Sequence, residues 1–263
     1  MWQRAFITVT DEYVKKNEGL MGKGSINLGT SGWTYDHWKE VVYPLSVPKR
    51  QWFEYYCSQF STVELNASFY RIPTLKATEG WNNRAPEEFR FSIKMSRLVT
   101  HVRKLKNCER ELEWFFSVFE PLSKKIAVFL IQLPPTLKFD PDRIVNFSKH
   151  FPSNAHAVFE FRNVSWYCDE TVSLLKSLGY SFCIHDMGEL ATEKIVTSPV
   201  AYIRFHGFDS RYGGDYPDDV LLQWAKWINV QSSRGVSVYG YFNNDIGGFA
   251  VKNCRRLKDL VGE

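Results

Sequence analysis

The chain has few cysteines and no pattern among them. Cys57, Cys108, Cys168, Cys183 and Cys254 are widely spaced, with no C-x-x-C pair and no cysteine–histidine zinc spacing. That excludes a disulfide scaffold and a zinc-ribbon module, and predicts reduced, mostly buried thiols. Long hydrophobic runs are missing as well. No apolar run approaches the roughly 20 residues that cross a bilayer, and the first residues carry scattered charges in place of a secretory hydrophobic region. No membrane contact and a cytoplasmic location are therefore expected. Fingerprints of the common nucleotide and hydrolase sites are absent too: there is no G-x-G-x-x-G, no G-x-x-x-x-G-K-[ST], no nucleophile elbow and no H-E-x-x-H helix. The net charge of +4 is mild, and without dense basic clusters it only permits a polyanionic partner.

What the sequence does hold is a rhythm. Of the 263 residues, 44% are hydrophobic and 16% aromatic, the composition of a globular protein with bulky packing. From Ile26 onward short apolar runs alternate with helical stretches. The strand candidates are Ile26–Thr30, Thr62–Asn66, Phe89–Lys94, Ile126–Gln132, Ala155–Phe161, Ser181–His185, Ala201–His206 and Val236–Phe242. Helix candidates fall between them at Lys49–Phe60, Leu75–Arg84, Glu109–Leu122, Pro141–Phe151, Asp169–Leu178 and Pro217–Gln231, with Phe249–Leu260 after the last strand. Pro141 and Pro217 fit first helical positions, and Asp169 fits an N-cap. Met187–Pro199 lacks periodicity and predicts an irregular crossover. Strand–helix alternation with nearly continuous apolar strands signals a parallel sheet covered on both faces. At a length near the ~250 residues usual for such barrels, the fold class is α/β, a single (β/α)8 TIM-type barrel over 26–263. Residues 1–25 read as a short N-terminal extension, with at most a helical turn at Val9–Val14.

Function is expected where polar residues end apolar strands, because the active site of such a barrel lies at the C-terminal strand ends. Glu64 and Asn66 share one strand face, since side chains alternate with period two. Glu160 with Arg162, and Arg204 with His206, repeat the two-residue spacing. Lys94, His101, Gln132, Asp186, Asn243 and Asn244 end or follow other strands. Glu64 and Asn66 admit a plain reading as part of an internal ion pair closing the barrel top, and Glu160 and Arg162 as neutralising one another, in which case losing one partner of a buried pair costs roughly 3–5 kcal/mol. The functional reading makes Glu64, Glu160, His206 and Asp186 the acid–base groups. Arg204, Arg162 and Lys94 then hold an anion, with Asn66, Tyr70, His101, Gln132, Trp166, Asn243, Asn244, Trp33 and Tyr35 around it. Gly207, directly after His206, allows a sharp turn. The loop aromatics form a stacking wall for a sugar, base or other planar ring. No cofactor is implied. The carboxylates and His206 could hold one divalent metal, but histidine is scarce for that purpose.

Together these segments resemble the YecE-like family (domain of unknown function 72). The match rests on Gly29-Thr-Ser-Gly-Trp33-x-Tyr35, Tyr43-Pro44, Phe60-x-x-Val63-Glu64-Leu-Asn66-x-x-Phe69-Tyr70-Arg71, Phe91-Ser-x-Lys94 and Thr100-His101. It continues through Gln132-Leu-Pro-Pro135, Glu160-Phe-Arg162-x-x-Ser165-Trp166, Arg204-x-His206-Gly207, Tyr241-Phe-Asn243-Asn244-Asp245 and Ala250. The resemblance implies a triosephosphate-isomerase-type barrel with these segments at its mouth, and no particular reaction. Three functions stay open: an enzyme acting on an anionic small molecule, a nucleic-acid-binding or -processing barrel with Trp33, Tyr35 and Tyr70 stacking bases, or a non-catalytic binding protein. Oligomeric state cannot be read.

Overall fold

The computed structural model describes residues 22–186, 191–208 and 212–262. The helical turn expected at Val9–Val14 lies outside the described residues, as does the start of the 187–199 crossover; residues 191–199 form neither helix nor strand. Eight strands close a parallel barrel in sequence order: β1 Ile26–Ser31, β2 Thr62–Leu65, β3 Arg90–Lys94, β4 Ile126–Gln132, β5 Ala157–Glu160, β6 Ser181–Asp186, β7 Val200–Phe205 and β8 Ser237–Phe242. The layer outside them contains α1 Trp52–Cys57, α2 Ala67–Tyr70, α3 Leu75–Arg84, α4 Glu109–Phe119, α5 Pro141–Ser148, α6 Asp169–Leu178, α7 Asp218–Ser233 and α8 Phe249–Val261. No described helix is long and apolar enough to cross a membrane.

Helix starts follow local chemistry. The Asp140 carboxylate caps α5 by accepting from Arg143 N at 3.2 Å, with Pro141 in the first turn. Thr74 caps α3 in the same way. Two expected starts move by one residue: Asp169 is the first helical residue behind Cys168, and Pro217 is the cap residue before Asp218. Both aspartates remain in a first turn, where the helix dipole favours negative charge.

Strand alternation sorts the core into two layers. Side chains such as Val63, Phe91, Ile131, Phe159, Ile203 and Phe242 point outward and join the large cluster beneath the helices. The inward set includes Val128, Leu130, Val158, Cys183, Tyr202 and Tyr241. This interior is polar for a buried core: the Tyr241 hydroxyl lies 2.6 Å from Thr62 Oγ1 and 2.8 Å from Ser92 Oγ. Such contacts satisfy groups that would otherwise be costly to bury.

At the β1–β2 seam the helix layer reaches the sheet backbone. Tyr56 of α1 inserts its hydroxyl there, accepting from Thr30 N at 2.9 Å and donating to Thr62 O at 3.0 Å. At Gly29 an added Cβ would stand 2.3 Å from Thr62 O and 3.1 Å from that hydroxyl. The neighbour is backbone and cannot yield cheaply. Gly29→Ala is expected to destabilise the protein by ~1–3 kcal/mol, the usual range for overpacking, read as a fall in urea midpoint at unchanged slope.

Candidate functional site

Parity brings the strand-end residues together. Ser31, Glu64, Lys94, Gln132, Glu160 and Arg204 all occupy inward positions near the C-terminal ends, with Ser31 beside Glu64 and Gln132 beside Glu160 in register. Arg204 joins the two carboxylates. Its Nε and Nη2 donate to Glu64 Oε2 and Oε1 at 2.9 and 2.8 Å, and its Nη1 donates to Glu160 Oε2 at 2.9 Å. All three side chains are buried: Arg204 is 1% exposed and both glutamates 0%.

Glu64 has a complete set of donors. Ser31 Oγ and Tyr202 OH each donate to it at 2.6 Å, in addition to Arg204. Burial pushes its carboxyl upward, but the Arg204 charge and these donors outweigh burial and hold the pKa below the usual range. Glu160 is lowered further. Burial again opposes, and Arg204 and Arg162 prevail. Gln132 Nε2 donates to Glu160 Oε2 at 2.9 Å, and Arg162 Nη2 pairs with Oε1. Arg204 is thus a clamp between carboxylates, so the expectation that it holds a ligand anion is corrected: its donors already point at Glu64 and Glu160.

His206 sits over the same cluster. Arg162 Nη2 donates to its Nε2 at 3.1 Å, and the Asn243 amide lies 3.1 Å from Nδ1. Arginine can only donate, so Nε2 accepts and the neutral ring carries its proton on Nδ1; Asn243 Nδ2 faces that nitrogen, and the amide accepts from it once its oxygen and nitrogen are exchanged. Desolvation, then Arg204, lowers the His206 pKa to about 3. At neutral pH His206 is an uncharged ring. Gly207, at φ +119°, turns the chain immediately after it, as its position suggested.

Lys94 differs from its neighbours. Only 8% exposed, it places Nζ 4.5 Å above the Phe69 ring. Its backbone carbonyl is tied to Ser68 Oγ at 2.7 Å. Desolvation, then Arg204, lowers its pKa to about 8. His101 packs edge-on against Phe69, with ring centroids 4.9 Å apart, and its Nδ1 lies 3.0 Å from Thr100 Oγ1. Burial, then Lys94 and Arg97, lowers its pKa to about 4.

Several expected residues stand elsewhere. Asp186 follows the parity of Ile184, so its Oδ2 accepts from Trp224 Nε1 on α7 at 3.2 Å; it faces the helix layer. His185, the neighbour of Asp186, shares inward parity with Cys183, and its ring lies 6.3 Å from His206. Trp166 is fully buried, stacked 4.6 Å from Phe161 and donating to Leu137 O. Trp33 packs on Phe53 and Trp81. The Tyr35 hydroxyl donates to Ser31 O. Tyr70 alone of the proposed stackers is freely exposed, at 83%. Asn244 donates to Gly214 O and Asn253 Oδ1, fastening a loop to α8. β2 ends at Leu65, so Asn66 is a helix cap residue and leaves the strand alternation; its Oδ1 is buried without a hydrogen-bond partner. Among the described residues no three His, Cys, Asp or Glu side chains converge as a metal would require. Sequence reading missed Tyr202 and Ser31. Tyr202 was findable, since it shares the period-two face of Arg204 and His206.

The closed eight-stranded barrel and the charged cluster at its C-terminal end define an α/β barrel of the triosephosphate isomerase type. Residues 27–263 match the family described as "Protein of unknown function DUF72", and the chain belongs to that family. A Bacillus subtilis relative, UPF0759 protein YunF, is 27% identical over 90% of this chain and 94% of its own. Escherichia coli YecE is 26% identical over 42% of this chain and 38% of its own. A DUF72 crystal structure from Thermotoga maritima superposes with TM-score 0.83 at 29% identity, covering 91% of this chain and all (100%) of that one. Another from Enterococcus faecalis gives 0.79 at 22% identity, over 90% and 96%.

Two outcomes follow from the clamp. Arg204→Met leaves buried Glu64 without a cation and Glu160 with Arg162 as its cation, and is expected to cost ~3–5 kcal/mol in urea unfolding. For pH the signs of the shifts agree: below the unfolded histidine pKa of about 6.5, the unfolded chain takes up protons that folded His206, at about 3, refuses. Folded Glu64 and Glu160 likewise resist protonation in the carboxylate range. Stability should therefore fall as pH drops from about 6.5 toward 3, and His206→Asn should flatten the upper part of that slope in thermal melts.

Proposed function

We propose that the barrel mouth binds an anionic small molecule, phosphorylated or carboxylated, and acts on it as an enzyme by proton transfer. One observation carries this reading: the Lys94 ammonium is buried over Phe69 with no hydrogen bond or ion pair of its own among the described residues. The charged groups that bear on it are Arg204, Glu160, Glu64 and Arg162. With Lys94 these make three cations against two carboxylates, and the carboxylates are already matched to the arginines. The surplus charge suits an anion, which would gain a charge-assisted contact in a poorly hydrated place.

Acid–base work falls to Lys94 too. Glu160 is held far on its ionised side and His206 on its neutral side, so neither changes protonation near pH 7. A group with a pKa near 8 does, and efficient proton transfer favours a pKa close to the working pH. His206 and Asn66 suit hydrogen bonding to the ligand. The nucleic-acid reading loses support, because Trp33 and Tyr35 are packed and only Tyr70 offers a face.

A thermal-shift series with inorganic phosphate and pyruvate tests the proposal. A ligand at 100 times its Kd adds about 2.7 kcal/mol to the native state, so wild type should melt higher with at least one anion. Lys94→Met should lose that shift while raising the ligand-free stability at pH 7 by on the order of 2 kcal/mol, since it removes a buried cation. No shift with any anion, or a full shift in Lys94→Met, overturns the assignment.

A further inference from the structure

Resting on that reading, we propose that Lys94 is a covalent catalyst: its amine condenses with the aldehyde or ketone carbonyl of an anionic substrate to form an imine. The comparison with Lys125 carries the point. Both lysines are buried, at 8% and 6% exposure, but Lys125 Nζ donates to Asn82 O at 3.0 Å and Ala85 O at 2.8 Å. Lys125 is a capped structural cation. Among the described residues Lys94 Nζ has no such acceptor and rests on an aromatic face, which leaves its lone pair available once the proton departs.

Its surroundings favour the free amine. Arg204 from β7 and Arg162 after β5 disfavour the ammonium, while Glu160 and Glu64 favour it but are themselves bound to the guanidiniums. His101, on the same Phe69 ring, is uncharged at neutral pH and adds no competing positive charge. A desolvated lysine beside other cations is one of the established ways of making an amine nucleophilic. With a pKa of about 8, half of Lys94 is free amine at that pH, against well under ~1% for a lysine at the unperturbed value of about 10.4.

The step balances without a further reactant. The Nζ lone pair adds to the carbonyl carbon, the C=O π pair moves to oxygen, and that oxygen takes the proton released from nitrogen. The carbinolamine then expels its hydroxyl with a second proton as water, leaving C=N. An anionic group next to the carbonyl would lie toward Arg162, whose charge is close enough to bias the Lys94 proton. The substrate class is accordingly a keto acid, an aldehyde acid or a phosphorylated carbonyl compound.

The test is reductive trapping on the intact protein. Wild type is incubated with pyruvate and cyanoborohydride between pH 6 and 10, and the adducts are located by peptide mass mapping. Lys94 should be modified at least about tenfold faster than the exposed Lys39 and Lys149, as expected from its free-amine fraction, with a rate that rises through pH 8. Lactate, an anion without an aldehyde or ketone carbonyl, should protect it. Lys94→Arg, which keeps the charge, should retain the thermal shift with lactate and lose the adduct. Adducts on exposed lysines with Lys94 unmodified overturn the imine while leaving the anion site standing, provided lactate still shifts the melt. Absence of any shift with lactate, pyruvate or phosphate removes the anion site itself.

Discussion

The guanidinium of Arg204 is the constraint on which the rest of the mouth depends. Glu64 and Glu160 come from strands on different sides of the barrel, and each carboxylate is fully buried. Burying two like charges near one another is affordable only if a cation lies between them with good geometry. Arg204 supplies three charge-assisted hydrogen bonds, two to one partner and one to the other. A lysine could not replace it, because its ammonium lacks the planar fork that meets both oxygens of Glu64. The second cation, Arg162, ties Glu160 onward to His206, so the cluster runs as a chain from Ser31 and Tyr202 to Asn243.

That chain explains why Lys94 is left over. An ammonium near two unneutralised carboxylates would pair with them, and its pKa would rise. Here both carboxylates are matched before Lys94 is counted, so burial and the arginine charges dominate and the proton is loosened. The clamp and the lysine are therefore one device.

Much of this was legible from the residues. Strand positions, inward parity and the two-residue spacings of Glu160 with Arg162 and of Arg204 with His206 follow from period-two geometry, and the structure places these side chains in one cluster. Which partner each would choose was not legible, because a contact across a closed barrel depends on register summed over several strands. Asp186 looks like a mouth carboxylate because it ends a strand, although alternation from Cys183 turns it toward the helix layer. Trp166, Trp33 and Asn244 look functional in the sequence because loop position alone does not distinguish a ligand wall from the side chains that anchor the loop. Asn66 escaped because β2 stops one residue early.

A site of this kind is expected to cost stability, and Lys94 is where the cost is concentrated. Its position among outward Phe91 and Ile93 and inward Ser92 on β3 would accept an apolar residue of similar length. The clamp behaves differently, because every group in it stabilises another, and removing one exposes the rest. Stabilising and destabilising charges therefore stand side by side at the same rim, distinguished only by whether a partner is present. Side chains held in ion pairs have little freedom to change protonation, whereas Lys94, with no pair among the described residues, can both titrate and meet a newcomer. The chemistry of the mouth is accordingly read from the charge the clamp leaves unmatched.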